Sequence, residues 1–296
     1  MDIILLILGL IVLVIGAEIV IRGSVSFGKK LNISLFAIGI VIVAGGTSLP
    51  ELASCINAVL NQHSDLVFGA VIGSNIANLI LVLAATTIIL PITNITKNQI
   101  NQAWINIVLG ISLIFMSYFY FNFLFGLISL FLLALIMYNQ IIRGTINIEE
   151  VSKDEYSTLI SIILIGFGII SLIYGSDLFV KSAINLAYKF NVSETVIGLS
   201  LIAFGTSLPE LVIGIISAIK RKVDFALGNI LGSNIYNILG VLGVSSFFGN
   251  FTMPEILSKQ DLLIMLTITF LILLFMFFLK KIGRIYGSLG LFFYCL

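Results

Sequence analysis

Apolar residues in this chain come in long uninterrupted runs, such as Ile3 to Ile15 and Leu262 to Leu279, and not in one-sided stripes. An α-helix needs roughly 20 such residues to cross the hydrocarbon of a bilayer. Polar interruptions divide the chain into ten predicted spans: 3–21, 33–60, 67–91, 103–121, 123–142, 159–180, 192–219, 225–248, 261–279 and 285–296. The first exceeds a signal-peptide core and has no basic leader, so it reads as a retained helix. The last is short for a crossing. The pattern predicts an all-α polytopic membrane protein.

Composition changes this picture only by exclusion. Of 296 residues, 59% are hydrophobic and 10% charged, against about 25% charged in soluble domains. A net charge of +1 with scattered basic residues gives no nucleic-acid partner. Cys55 and Cys295 make no disulfide framework, and the single histidine, His63, makes no His-rich metal site. Placed on ten spans, Arg22, Lys29, Lys30, Lys97, Arg143, Lys153, Lys220, Arg221, Lys222, Lys280, Lys281 and Arg284 share one side. Only Lys181, Lys189 and Lys259 fall opposite. The first side is then cytoplasmic and both termini are extracellular.

The chain also contains a copy of itself. Residues 16–88 align without a gap on 175–247, with 24 identical pairs. Gly46-Thr47-Ser48-Leu49-Pro50-Glu51-Leu52 matches Gly205-Thr206-Ser207-Leu208-Pro209-Glu210-Leu211, and Gly73-Ser74-Asn75-Ile76 with Asn78 matches Gly232-Ser233-Asn234-Ile235 with Asn237. The organisation is thus a first five-helix repeat, 1–142, a cytoplasmic linker, 143–158, and a second five-helix repeat, 159–296. Five is odd, so the second copy enters the membrane inverted. Inverted repeats around interrupted helices mark secondary transporters, with the binding site near the midplane.

Glu51 and Glu210 fall mid-way along spans 2 and 7. A carboxylate at that depth costs about 2.5–3.5 kcal/mol on insertion scales. All fifteen basic residues lie in loops or at span ends, so the counter-charge is a proton or a bound cation. Thr47 and Ser48 lie four and three residues before Glu51, on one helix face, and Thr206 and Ser207 precede Glu210 in the same way. Ser74 with Asn78, and Ser233 with Asn237, are four apart and should face inward from spans 3 and 8. Pro50 and Pro209 lack an amide hydrogen, which frees the carbonyls of Gly46 and Gly205 and should interrupt helices 2 and 7. Carboxylate, hydroxyl, amide and carbonyl oxygens without sulfur or imidazole suit hard cations such as Ca²⁺ and Na⁺. Glu18 and Asp177 sit near span ends and should snorkel. Asn75 and Asn234 should meet a helix contact, Cys55 should pack, His63 should lie in a loop, and Phe and Tyr should mainly face lipid or anchor the interfaces.

These paired segments resemble the two alpha repeats of the cation/calcium exchanger superfamily, most nearly its prokaryotic sodium/calcium exchangers. The resemblance spans both motif blocks and most of the chain. It implies a plasma-membrane antiporter, not an enzyme, that exchanges Na⁺ for Ca²⁺ by alternating access and needs no cofactor. It implies Ca²⁺ coordination by Glu51, Glu210, Thr47 and Thr206. Sodium ions would share the glutamates and use Ser48, Ser207, Ser74 and Ser233, with the backbone carbonyls of Ala44 and Ala203. Helices 1 and 6 would slide across a rigid core. The 143–158 linker leaves no room for the family's regulatory domains, so no regulatory partner is implied. Asn237 stands where several relatives carry Asp, which lowers fixed charge and disfavours K⁺ co-transport. The rival reading is a proton/calcium antiporter using the same site.

Overall fold

The structure, a computed structural model, describes residues 2–144, 156–190 and 203–295. Most of the predicted linker, and residues 192–202 of the predicted seventh span, lie outside them. In chain order the helices are α1 (Asp2–Leu31), α2 (Leu35–Thr47), α3 (Leu49–Leu60), α4 (Asp65–Ile89), α5 (Lys97–Met116), α6 (Phe123–Arg143), α7 (Thr158–Lys189), α8 (Ala203–Thr206), α9 (Leu208–Ile219), α10 (Val223–Ser245), α11 (Glu255–Leu279) and α12 (Arg284–Cys295). Among the described residues, seven are long and apolar enough to cross a membrane. The α2–α3 pair, bent by 42°, makes an eighth crossing if taken as one. The described part of the predicted seventh span is α8–α9, and the predicted tenth span is the short α12.

Burial separates the centre from the lipid-facing shell. In α10, 94% of the apolar stretch is buried and in α4 67%, against 28% in α1, α6 and α7. The shell helices turn Ile4, Ile11, Phe131, Leu135, Ile163 and Ile170 outward, as a bilayer requires and water would not tolerate in such number.

Helices α1 and α7 lie against each other along much of their length, and glycines set the approach. A Cβ on Gly9 would meet the backbone of Gly175 and Phe179 at 2.8–3.0 Å. One on Gly16 would meet the Gly168 carbonyl at 3.0 Å, and one on Gly23 the Ser161 carbonyl at 3.0 Å. As the α1 number rises the α7 number falls, so the helices run antiparallel. Small residues at helix contacts let backbones close in where lipid supplies no hydrophobic drive.

Two strands of two residues each join the helices. β1 (Ile92–Thr93) pairs antiparallel with β2 (Lys281–Ile282), and Phe121 bridges Phe251. Many aromatics, such as Phe115, Tyr118, Phe131 and Phe278, are exposed as expected, with exceptions in the core. Phe68, Phe121 and Phe225 are fully buried. Phe121 lies edge-on to Phe68 at 4.9 Å and stacks on Phe251 at 5.4 Å, pinning the α5–α6 turn to the segment after α10.

Candidate cation site

The helix carrying the first glutamate breaks one residue after Thr47. Ser48 adopts φ −81°, ψ 4° and Ser207 adopts φ −89°, ψ 3°, both outside the helical basin. Pro50 and Pro209 then stand in the first turn of α3 and α9, where a missing amide hydrogen costs nothing. The same turns carry Glu51 and Glu210, at the helix end whose dipole favours negative charge. One carbonyl freed by proline is taken up at once. Gly205 O accepts from Ser176 Oγ on α7 at 2.7 Å.

Helices α4 and α10 cross at the centre, and each widens into a π-helical turn at its asparagine: Asn78–Val82 in α4 and Tyr236–Val241, containing Asn237, in α10. Such local widenings recur at functional sites. Here they lie at matching places in the two halves.

Glu51 and Glu210 are each 1% exposed. Every ion pair among the described residues lies elsewhere, on Glu18, Asp177 and Asp2. The glutamates are therefore buried without a basic partner, an arrangement costing several kcal/mol for each ionised group unless something else compensates.

Hydroxyls and amides surround them. Ser74 Oγ donates to Glu51 Oε1 at 3.3 Å, and Ser233 Oγ donates to Glu210 Oε1 at 3.5 Å. The Thr47 hydroxyl lies 3.3 Å from the Ala44 carbonyl, and 3.4 Å from both Asn229 Oδ1 and Ser233 Oγ. Asn237 Nδ2 donates to Ser74 Oγ at 3.2 Å and to Asn75 Oδ1 at 3.0 Å. Asn78 Nδ2 donates to Asn234 Oδ1 at 3.0 Å. Most of these bonds join one half of the chain to the other.

What is left over carries the chemistry. Among the buried side-chain atoms with no hydrogen-bond partner are Ser48 Oγ and Ser207 Oγ, Glu51 Oε2 and Glu210 Oε2, and Asn78 Oδ1 and Asn237 Oδ1. These six form three pairs related by the repeat. Buried polar atoms are normally satisfied, so this duplicated set of unpartnered oxygens, two of them on carboxylates, is a candidate ligand site. Oxygens of this type, with a formal charge of −2, match a hard cation.

Comparison with known proteins places the chain in a family. The sodium/calcium exchanger protein family model matches residues 1–142 and 160–296. The chain belongs to that family. It is 32% identical to the putative antiporter CaxA of Alkalimonas amylolytica, over 95% of this chain and 92% of that one. It is 29% identical to the sodium/calcium exchanger MaX1 of Methanosarcina acetivorans, over 98% and 95%. A structure of the sodium-calcium exchanger NCX_Mj, soaked with Na⁺ and Sr²⁺, superimposes with a TM-score of 0.87 at 33% identity, covering 99% of this chain and 96% of that one.

Hydrogen bonds tie Thr47, Glu51, Ser74, Asn78, Glu210, Ser233 and Asn237 of this family member into contact with one another or with their helix neighbours. Ser48 and Ser207 are buried at the two helix breaks. Ala44 enters through its carbonyl. Thr206 ends α8, half-buried beside Ser207, and Ala203 opens the same helix.

Sequence reasoning missed Asn229, fully buried and facing Thr47. Its repeat partner is Ala70, so a search for duplicated polar residues passes over it. Ser176 was missed for the same reason, its partner being Ala17. Cys55 packs as expected, at 1% exposure. Glu18 does more than snorkel, since it accepts from both Arg22 Nε at 2.5 Å and Lys220 Nζ at 2.6 Å.

Proposed function

We propose that this exchanger swaps Na⁺ for Ca²⁺ by alternating access at one shared site built on Glu51 and Glu210. The carrying observation is the three repeat-related pairs of unpartnered oxygens around two buried carboxylates that have no basic partner. In this reading the chain is a ten-span plasma-membrane protein of two inverted five-helix halves, with both termini extracellular. The antiparallel packing of α1 on α7, its repeat equivalent, supports the inversion.

The physics of coupling follows from charge. Two ionised glutamates balance one Ca²⁺. An incoming set of more than two Na⁺ leaves net positive charge and makes exchange electrogenic. An unloaded site keeps its full desolvation cost, so only a loaded one slides past α1 and α7. The ligands are Thr47, Thr206, Ser48, Ser207, Ser74, Ser233, Asn78 and Asn237, with the carbonyls of Ala44 and Ala203, around the two glutamates. Asparagine at 78 and 237 adds oxygens without charge, which keeps the site at −2.

Titration of the purified protein with Ca²⁺ by calorimetry, repeated at rising Na⁺, tests the shared site. The expected result is Ca²⁺ binding whose apparent Kd rises with Na⁺. Binding indifferent to Na⁺ contradicts it.

A further inference from the structure

Asn75 and Asn234 follow the site serines but do not join them. Each reaches across to the other half of the chain. Asn75 Nδ2 donates to the backbone carbonyl of Asn234 at 3.4 Å, and Asn234 Nδ2 donates to the backbone carbonyl of Asn75 at 3.4 Å. A backbone carbonyl can only accept, so each contact fixes which end of the amide faces it. The nitrogens are committed, and the oxygens point onward.

Those oxygens then dictate the next pair. Asn75 Oδ1 takes Asn237 Nδ2 at 3.0 Å, and Asn234 Oδ1 takes Asn78 Nδ2 at 3.0 Å. With their nitrogens held, Asn237 and Asn78 must turn their oxygens the other way, and both oxygens are without a protein partner. All four side chains are at most 2% exposed, so water does not relax the constraint.

We propose that Asn75 and Asn234 are positioning residues that set the amide polarity of Asn237 and Asn78, presenting oxygen to the transported cation. The inference rests on the shared-site reading above. An amide turned end for end has nearly the same shape, but aims an NH₂ group at a cation. The two relays differ in one respect. Asn237 Nδ2 has a second acceptor in Ser74 Oγ at 3.2 Å, whereas Asn234 Oδ1 is the one acceptor for Asn78 Nδ2 among the described residues. Losing Asn234 therefore costs more than losing Asn75.

The test is a double-mutant cycle read by Ca²⁺ uptake into proteoliposomes. Asn234→Ala should raise half-saturating Ca²⁺ on the order of tenfold, leaving the maximal rate within about threefold. In an Asn78→Asp background both terminal atoms are oxygens and polarity loses its meaning. There the cost of Asn234→Ala should fall to about twofold or reverse, because Asn234 Oδ1 would face a carboxylate oxygen. An equal factor in both backgrounds, as a packing role gives, overturns the proposal. If Asn234→Ala does not yield folded protein, Asn75→Ala with Asn237→Asp makes the parallel cycle and answers the same question. Glu51→Gln in the same series separates the two levels. Uptake surviving in Glu51→Gln defeats the shared site. Uptake lost there, with no epistasis between positions 234 and 78, defeats only the positioning role.

Discussion

Around the carboxylates the two halves of the chain repeat the helix break and the unpartnered oxygens, while at the rim matched positions do different things. Ser48 and Ser207 break their helices at the same angles, and the unpartnered oxygens come in repeat-related pairs. At the rim, Glu18 on α1 is tied to Lys220 at the end of α9 at 2.6 Å. Its repeat partner Asp177 pairs within its own helix, with Lys181 at 2.8 Å. The position matching Lys220 is Asn61, whose amide nitrogen is spent on Asn57. Conversely, Ser176 clamps Gly205, whereas Ala17 has no hydroxyl to offer Gly46. On the proposed alternating-access reading, a site loaded from either face needs the same ligands in both states, and its centre keeps the duplication. Contacts present in one half alone distinguish one state from the other.

The largest effect comes from breaking the centre. Glu51→Gln and Glu210→Gln should each abolish Ca²⁺ uptake, a loss of at least about a hundredfold, because either change leaves the site short of one charge. Near-normal flux in either variant would remove its glutamate from the site. Ser48→Ala and Ser207→Ala probe the symmetry more finely. Each should raise half-saturating Na⁺ by about three- to tenfold, in line with one lost ligand oxygen. The two factors should agree within about threefold, and a silent partner would show that the pairing is only formal. The smallest effect belongs to the rim. Lys220→Asn copies the other half, and the pair is partly exposed, so about 1 kcal/mol or less is at stake. Thiol labelling of single cysteines in the two access paths should shift by no more than about fivefold, toward the state in which α1 has left α9. No shift would make the ion pair incidental.

Much of this was legible before any coordinates, and the exceptions have physical causes. Hydropathy placed the span of α6 within a residue, because that helix ends where its apolar run ends, but it began α11 six residues late, since that helix starts in the polar stretch at Glu255. It stopped short on α1, predicted to end at 21 but reaching Leu31, and on α7, predicted to end at 180 but reaching Lys189. Apolar runs report hydrocarbon, and a helix can continue past it through Arg22, Lys29 and Lys181. It began α5 late, at 103, because the first turn is polar and held by a capping box between Thr96 and Gln99. The glutamates, serines and asparagines of the candidate site stood out because duplication singled them out from the many polar side chains of a membrane protein. Asn229 and Ser176 carried no such mark. The roles of Asn75 and Asn234 depend on which amide end faces a carbonyl, and that is a property of the folded contact alone.

The central claim is exchange of Na⁺ for Ca²⁺ at a site shared by both ions. Its most direct test is radiolabelled Ca²⁺ uptake into proteoliposomes loaded with either Na⁺ or acid, with the membrane potential clamped in each case. Internal Na⁺ should drive uptake and the pH gradient should not. Uptake driven by the pH gradient alone would contradict the account, leaving the fold and the paired glutamates in place but making the counter-ion a proton.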